Sequence, residues 1–261
     1  MDKNERIEVF EDTYLKTKKY KDVLLGCEVI KEDYELSKTS AATNVKVVEG
    51  TTFGEASKHI GKKVCVLNFA SATNPGGGVK KGSSAQEECL CRESSLFMSL
   101  DTKYFFDNYY GYHRSLNNCL YTNRLIFVPK VVVIKDSFGE FLNKPFEVSC
   151  ISCAAPNLRE KPSNSMNPKA GKRIEISNEE LEEILVERYR RVIALAETKN
   201  VEVLILGAIG CGAFKNNPRV VASAFKKALK MNGSKIEKIV FAIYCGDKEK
   251  ENLKVFKEIL G

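Results

Sequence analysis

The chain has 261 residues, 43% of them hydrophobic and 29% charged, a balance that excludes a disordered or low-complexity protein. Its 41 Lys+Arg against 34 Asp+Glu leave a net charge of +7, which admits polyanionic partners without identifying one. No apolar run approaches the roughly 18 residues of a membrane span, and the opening MDKNERIEVFEDTYLKTKK lacks the apolar core of a secretion signal. No membrane partner is expected.

The length fits one large α/β domain or two small ones. A chain of this size buries roughly three-quarters of its unfolded surface, so it needs neither disulfide nor metal staples. Nine cysteines, an odd number, read as reduced thiols of a cytoplasmic protein.

In chain order, residues 5–18 place Ile7, Phe10, Tyr14 and Leu15 on one stripe and predict an amphipathic helix. Residues 45–48 predict a short strand and 54–60 a short helix. Residues 63–69 (KVCVLNF) are almost wholly apolar, as a strand buried on both faces requires. A loop with one proline and four glycines follows, from Ala70 to Ser84, and then a helix predicted over Gln86 to Leu100. Residues 124–134 and 146–153 predict strands, the first interrupted by Pro129. Ala154 to Glu175 is a long polar loop with three prolines, of the length that usually carries function.

Ser177 to Glu180 (SNEE) is a capping box for a helix reaching about Lys199. Residues 201–206 (VEVLIL) predict another buried strand. It feeds a second glycine loop, residues 207–216 (GAIGCGAFKN), after which Asn217 and Pro218 open a helix. Residues 238–244 predict a strand, and Asp247 is expected to cap the last helix. The alternation of strand and helix predicts an α/β fold with a mixed sheet.

Both glycine loops join a buried strand to a helix. In that setting, unpaired N–H groups and the positive end of the helix dipole favour an anion. Two such loops suit a ligand with two phosphates. Neither is a P-loop or a dinucleotide fingerprint. Metal binding is not expected: Cys89 and Cys91 face apart on a helix, Cys150 and Cys153 point to opposite faces of a strand, and His59 and His113 stand alone.

Gln86, Glu87 and Glu88 follow the triple glycine Gly76-Gly77-Gly78 after seven residues. Ser84 with Glu87 has the spacing of a capping box, which would occupy Glu87 with helix N–H groups. Glu88 has no such duty. A carboxylate beside an anion loop suits a group that is protonated or that binds ligand hydroxyls. A buried, protonated glutamate can donate to a leaving oxygen, which is the logic of glycoside hydrolysis.

Asn68 to Gly78 (NFASATNPGGG), the spaced Gln86-Glu87-Glu88 and the distal GAIGCGAF resemble the poly(ADP-ribose) glycohydrolases, the compact bacterial-type branch in particular. The resemblance spans about residues 45 to 245. It implies a macrodomain-like catalytic domain over 46–261, with a mixed central sheet flanked by helices; the residues before it, 1–45, read from the sequence itself as an N-terminal helical extension. It implies ADP-ribose as product, ADP-ribosylated proteins as partners, exo-type trimming and no cofactor. By the same resemblance Glu88 is the catalytic acid, and Glu87 and Gln86 position it and the ribose hydroxyls. Asn74 lies near the distal ribose, and Gly76, Gly77 and Gly78 line ribose and diphosphate. Gly210, Cys211, Gly212 and Ala213 hold the diphosphate from the other side, and Phe214 packs against ribose. Two other readings stay open from sequence: a binding module without catalysis, and a hydrolase of mono-ADP-ribosyl marks on protein or nucleic acid. Lys80 and Lys81 could touch polymer phosphates or simply be solvated, and Cys211 could be activated by its anion loop.

Overall fold

The apolar runs become strands buried on both faces, as their composition requires. The computed structural model describes residues 1–31, 43–163, 168, 172–246 and 250–261. Among these, seven strands form one sheet: β1 (Glu28–Ile30), β2 (Asn44–Glu49), β3 (Val64–Phe69), β4 (Leu125–Lys135), β5 (Phe141–Cys153), β6 (Val203–Leu206) and β7 (Lys238–Ile243). The order is β1-β4-β5-β3-β6-β7-β2. The pairs β5/β3, β3/β6, β6/β7 and β7/β2 are parallel, and β4 pairs antiparallel with both β5 and β1. Pro129 falls where the β4/β5 register shifts between Val128 and Val131, so its missing N–H interrupts no regular ladder.

Side-chain alternation divides the interior in two. Cys65, Leu67, Leu204, Leu206, Ile239 and Phe241 point to one core, closed by α7 (Asn178–Thr198), α8 (Pro218–Asn232) and α9 (Glu251–Leu260). Val64, Val66, Val203, Ile205 and Val240 point to the other. That face is covered by α1 (Lys3–Thr17), α2 (Thr52–Ala56), α3 (Gln86–Glu93) and α4 (Leu96–Leu100). The short α5 (Lys103–Phe105) and a π-helical turn (Phe106–Tyr110) complete it, and α6 (Gly111–Leu116) continues from that turn. No helix among the described residues is long and apolar enough to cross a membrane.

Several expectations hold in detail. Ser177 and Glu180 form the reciprocal capping box of α7, and Asn217 caps α8 with Pro218 in its first turn. Cys150 and Cys153 do enter opposite cores. Others are corrected. The helix predicted over 86–100 breaks at Ser94, whose extended backbone bridges to Val133 while Ser95 N–H donates to Val132 O at 3.0 Å. Ser94 Oγ bonds Leu90 O instead, the local competition with the helix that serine offers. Leu15 is 62% exposed. The buried face of α1 is Phe10, Thr13 and Thr17, because each threonine hydroxyl is satisfied on a backbone carbonyl.

The strand predicted from residue 146 begins at Phe141, and residues 103–116, unread in the sequence, are helical. Asp247 lies outside the described residues. The segment expected as a helical extension supplies α1 and also the edge strand β1. Its α1 packs on α3 and α4, where Phe10 meets Phe97 edge-on at 5.0 Å.

Candidate active site

The parallel strands β3, β5 and β6 deliver their C-terminal ends to one place, the usual ligand end of such a sheet. Residues 70–85, 154–163 and 207–217 leave the sheet there. Ala70 N–H donates to Cys153 O at 3.0 Å, Leu158 N–H to Phe214 O at 3.0 Å, and Asn216 Nδ2 to Pro156 O at 2.7 Å. The two glycine loops therefore leave the sheet at the same end.

Asn68 continues the Val64 and Val66 face of β3 and so points at α3. Its Nδ2 donates to Glu87 Oε1 at 3.1 Å and to Ser152 Oγ on β5 at 2.9 Å. Glu87 Oε2 accepts from Ser71 N–H at 2.7 Å. The expected Ser84–Glu87 capping box is absent: Ala85 is the N-cap of α3, no side chain caps it, and Glu87 turns inward. Glu87 is only 3% exposed, and its carboxyl is pushed up to about 8, chiefly by burial and then by the neighbouring Glu88, against the pull of the Ser71 and Asn68 donors.

Glu88 is also buried, at 7% exposure. Its Oε1 accepts from Gly78 N–H at 2.8 Å. Its Oε2 is buried and bonds to nothing among the described residues. Gly77, at φ +57°, lies against this carboxylate: a Cβ there would collide with Glu88 Oε1 and lie 3.1 Å from Glu87 Oε2. A side chain would suffer both the left-handed backbone and the clash.

The loops differ in their main chain. After β3, the N–H groups of Gly77, Gly78, Val79, Lys81, Gly82 and Ser83 are all engaged internally, on Asn74 O, Glu88 Oε1, Gly76 O, Gly78 O, Val79 O and Gly78 O. This loop does not offer the open row of donors expected of it. After β6, Asn216 N–H closes on Gly210 O at 3.0 Å and Lys215 N–H on Gly212 O at 3.2 Å. Between these closures the N–H groups of Gly212, Ala213 and Phe214 have no acceptor among the described residues. Successive open N–H groups form an anion cradle. Asn217 caps α8 with its own side chain, so the cradle is the loop and not the helix end.

Gln86 is fully engaged. Its Oε1 accepts from Phe69 N–H at 2.9 Å, and its Nε2 donates to Leu67 O at 2.7 Å and Thr52 Oγ1 at 3.0 Å. It locks the start of α3 to the end of β3, which fixes where Glu87 and Glu88 stand. Asn74 is buried, and its Oδ1 accepts from Arg114 Nη2 at 2.6 Å. Gly76, two residues on, takes φ +63°. Phe214 lies 6.3 Å from Tyr121, and the Arg159 guanidinium sits 5.6 Å from its ring centre. Tyr121 holds φ +60°, a strained conformation for an aromatic residue, and its hydroxyl accepts from Asn157 Nδ2 at 3.4 Å.

Arg114 and Tyr121 come from residues 101–123, assigned no element from the sequence; only the density of aromatics there could have marked them. Cys211 is half-buried, and burial pushes its thiol up to about 12, the opposite direction from the activation considered from its loop. Lys80 pairs with Asp101 at 3.2 Å over the Phe97 ring. Among the described residues, no group of three or more His, Cys, Asp or Glu side chains could hold a metal ion.

The sequence model of the microbial-type PARG catalytic domain matches residues 3–136. The chain is similar to the poly(ADP-ribose) glycohydrolase of Thermomonospora curvata solved with the inhibitor ADP-HPD. Identity is 26%, the match covers 98% of this chain and 99% of that one, and the TM-score is 0.81. It is similar also to the poly(ADP-ribose) glycohydrolase of Deinococcus radiodurans in complex with ADP-ribose. There identity is 30%, coverage 90% and 94%, and the TM-score 0.76. No curated protein matches the sequence.

Proposed function

The chain belongs to the microbial-type poly(ADP-ribose) glycohydrolases, and from that premise we propose that Glu88 cleaves the ribose–ribose glycosidic bond of poly(ADP-ribose) as general acid and then base. The observation that carries this is the asymmetry of one carboxyl group. Oε1 is fixed by Gly78 N–H, while Oε2 is buried and unpartnered, the atom left to carry a proton to the substrate. Protonated Oε2 donates to the departing ribose oxygen as the bond to the anomeric carbon breaks and an oxocarbenium-like ribose forms. Water then attacks that carbon and returns a proton to Oε2, so the enzyme ends as it began.

Glu87 supports this as a buried neighbour bound to Asn68 and Ser71, its own carboxyl pushed up by burial and by the charge of Glu88. Gln86 holds both by locking α3 to β3. The open N–H groups of Gly212, Ala213 and Phe214 suit the diphosphate, with Gly210 shaping the turn and Cys211 a small inert filler. Asn74 stands beside the triple glycine, where the resemblance puts the distal ribose. We read the cleavage as exo-type, on ADP-ribosylated proteins, with ADP-ribose as product. The nine free thiols support a reducing, cytoplasmic setting.

The test is incubation of wild type and Glu88→Gln with labelled polymer and with mono-ADP-ribosylated protein. Wild type is expected to release ADP-ribose, without oligomers, from polymer. Glu88→Gln should lose about 10²–10⁴ in rate. Binding without release from any substrate would make the wild type a reader and sink the proposal. Full activity in the variant would remove Glu88 from its role.

A further inference from the structure

The π-helical turn Phe106–Tyr110 runs into α6 and brings Arg114 against the loop after β3. Its Nε donates to Thr73 O at 2.7 Å and its Nη2 to Asn74 Oδ1 at 2.6 Å, while the guanidinium lies 5.2 Å from the Phe106 ring centre. A guanidinium has donors only, so the amide atom facing it must be the oxygen. The orientation of the Asn74 amide is thereby determined, which a hydroxyl partner, able to donate or accept, would not achieve.

The rest of Asn74 is engaged as well. Its N–H donates to Ser71 Oγ at 3.1 Å, and its carbonyl accepts from Gly77 N–H at 3.1 Å. Among its donors only the side-chain nitrogen has capacity left, its one contact being Thr73 Oγ1 at 3.5 Å. We propose that Arg114 is a positioning residue: by holding Oδ1 it presents the Asn74 N–H2 as a donor to a ribose hydroxyl oxygen of the substrate. This rests on the reading of Asn74 as a ribose contact. Arg114 itself acts through Asn74, and the shared hydrogen bond couples two segments 40 residues apart.

The test is a double-mutant cycle on wild type, Arg114→Ala, Asn74→Ala and the double variant. It follows kcat and KM on poly(ADP-ribose) and the Kd for ADP-ribose by calorimetry. Each single change is expected to lower kcat/KM by about tenfold, the scale of one charge-assisted or ligand hydrogen bond, and the double variant should be no worse than Asn74→Ala. Losses that multiply would show that Arg114 acts by another route and overturn the proposal, as would an Asn74→Ala variant equal to wild type.

Asn74→Asp gives an independent arm that does not need Arg114→Ala to fold. It keeps an oxygen for Arg114 and replaces the donor with a second acceptor. Its Tm should match or exceed that of wild type while ADP-ribose affinity falls about tenfold or more. Affinity equal to wild type would overturn the proposal. Failure of the glycohydrolase reading is seen separately, as a wild type that releases no ADP-ribose, and the calorimetric cycle still reads the Arg114–Asn74 coupling in that case.

Discussion

The two glycine loops look alike in sequence and do different work. After β3, glycines make room for side chains: Gly77 lacks a Cβ because Glu87 and Glu88 occupy that space, and the loop's N–H groups are engaged internally. After β6, glycines leave the main chain open. Gly212 has nothing within 4 Å of where its Cβ would be, and Gly212, Ala213 and Phe214 keep N–H groups without protein acceptors. The first loop is braced from several directions, by Arg6 Nε on Gly82 O at 2.7 Å, Arg92 Nη1 on Ser83 O at 2.6 Å and Arg114 on Thr73 and Asn74. The second is closed by its own backbone and by Asn216. The same residue type therefore makes room for carboxylates in one loop and leaves open, in the other, the main chain proposed to meet the diphosphate.

The largest expected effect tests the first half of this contrast. Gly77→Ala should lower kcat by about 10² or more, because the new Cβ displaces the Glu88 carboxyl proposed as the acid, and single-turnover release of ADP-ribose measures it. Near-normal turnover would mean that the close approach of Gly77 to Glu88 is incidental. Next, an amide-to-ester replacement at residue 213 removes one N–H and keeps the loop's shape. ADP-ribose affinity by calorimetry should weaken by about ten- to a hundredfold, as for a hydrogen bond to a charged group of about 1.5–3 kcal/mol, with kcat at saturating polymer little changed.

A third prediction concerns stability. Glu87 and Glu93 are both raised to about 8 by burial, from an ordinary value of 4.5. Between those values the folded protein holds protons that the unfolded chain has released, so these groups make stability fall as pH rises from about 4.5 to about 8. Below 4.5 and well above 8 they add no slope. Glu93 lies outside the site, and Glu93→Gln should raise Tm more at pH 8 than at pH 5; an equal shift at both would place its titration elsewhere. The smallest effect is expected for Gly212→Ala, whose Cβ enters open space: Tm should move by a degree or so, well below the change from Gly77→Ala.

Much of this site was legible in the sequence because its chemistry is local. The spacing from the triple glycine to Gln86-Glu87-Glu88 falls in one strand–loop–helix unit, and the apolar runs of β3, β6 and β7 identify themselves by composition. The Ser84–Glu87 capping box was misread because the spacing is ambiguous: a glutamate three residues on can cap backwards or turn inward, and Asn68 and Ser71 decide for the second. The break at Ser94 depends on a bridge to Val133 in a distant strand, which helical periodicity cannot reveal. Arg114 was invisible for the same reason, since its partners lie 40 and 41 residues earlier in the chain. The difference between the loops was also hidden, because which N–H groups remain open depends on loop closure and not on glycine content.

The most direct test of the division of labour is calorimetric titration of ADP-ribose into Glu88→Gln and into protein with the ester at residue 213. The expected result is affinity close to wild type in Glu88→Gln, despite its lost turnover, and clearly weakened affinity in the ester protein. Loss of binding in Glu88→Gln with unchanged binding in the ester protein would contradict it, placing the grip on the ligand in the loop after β3.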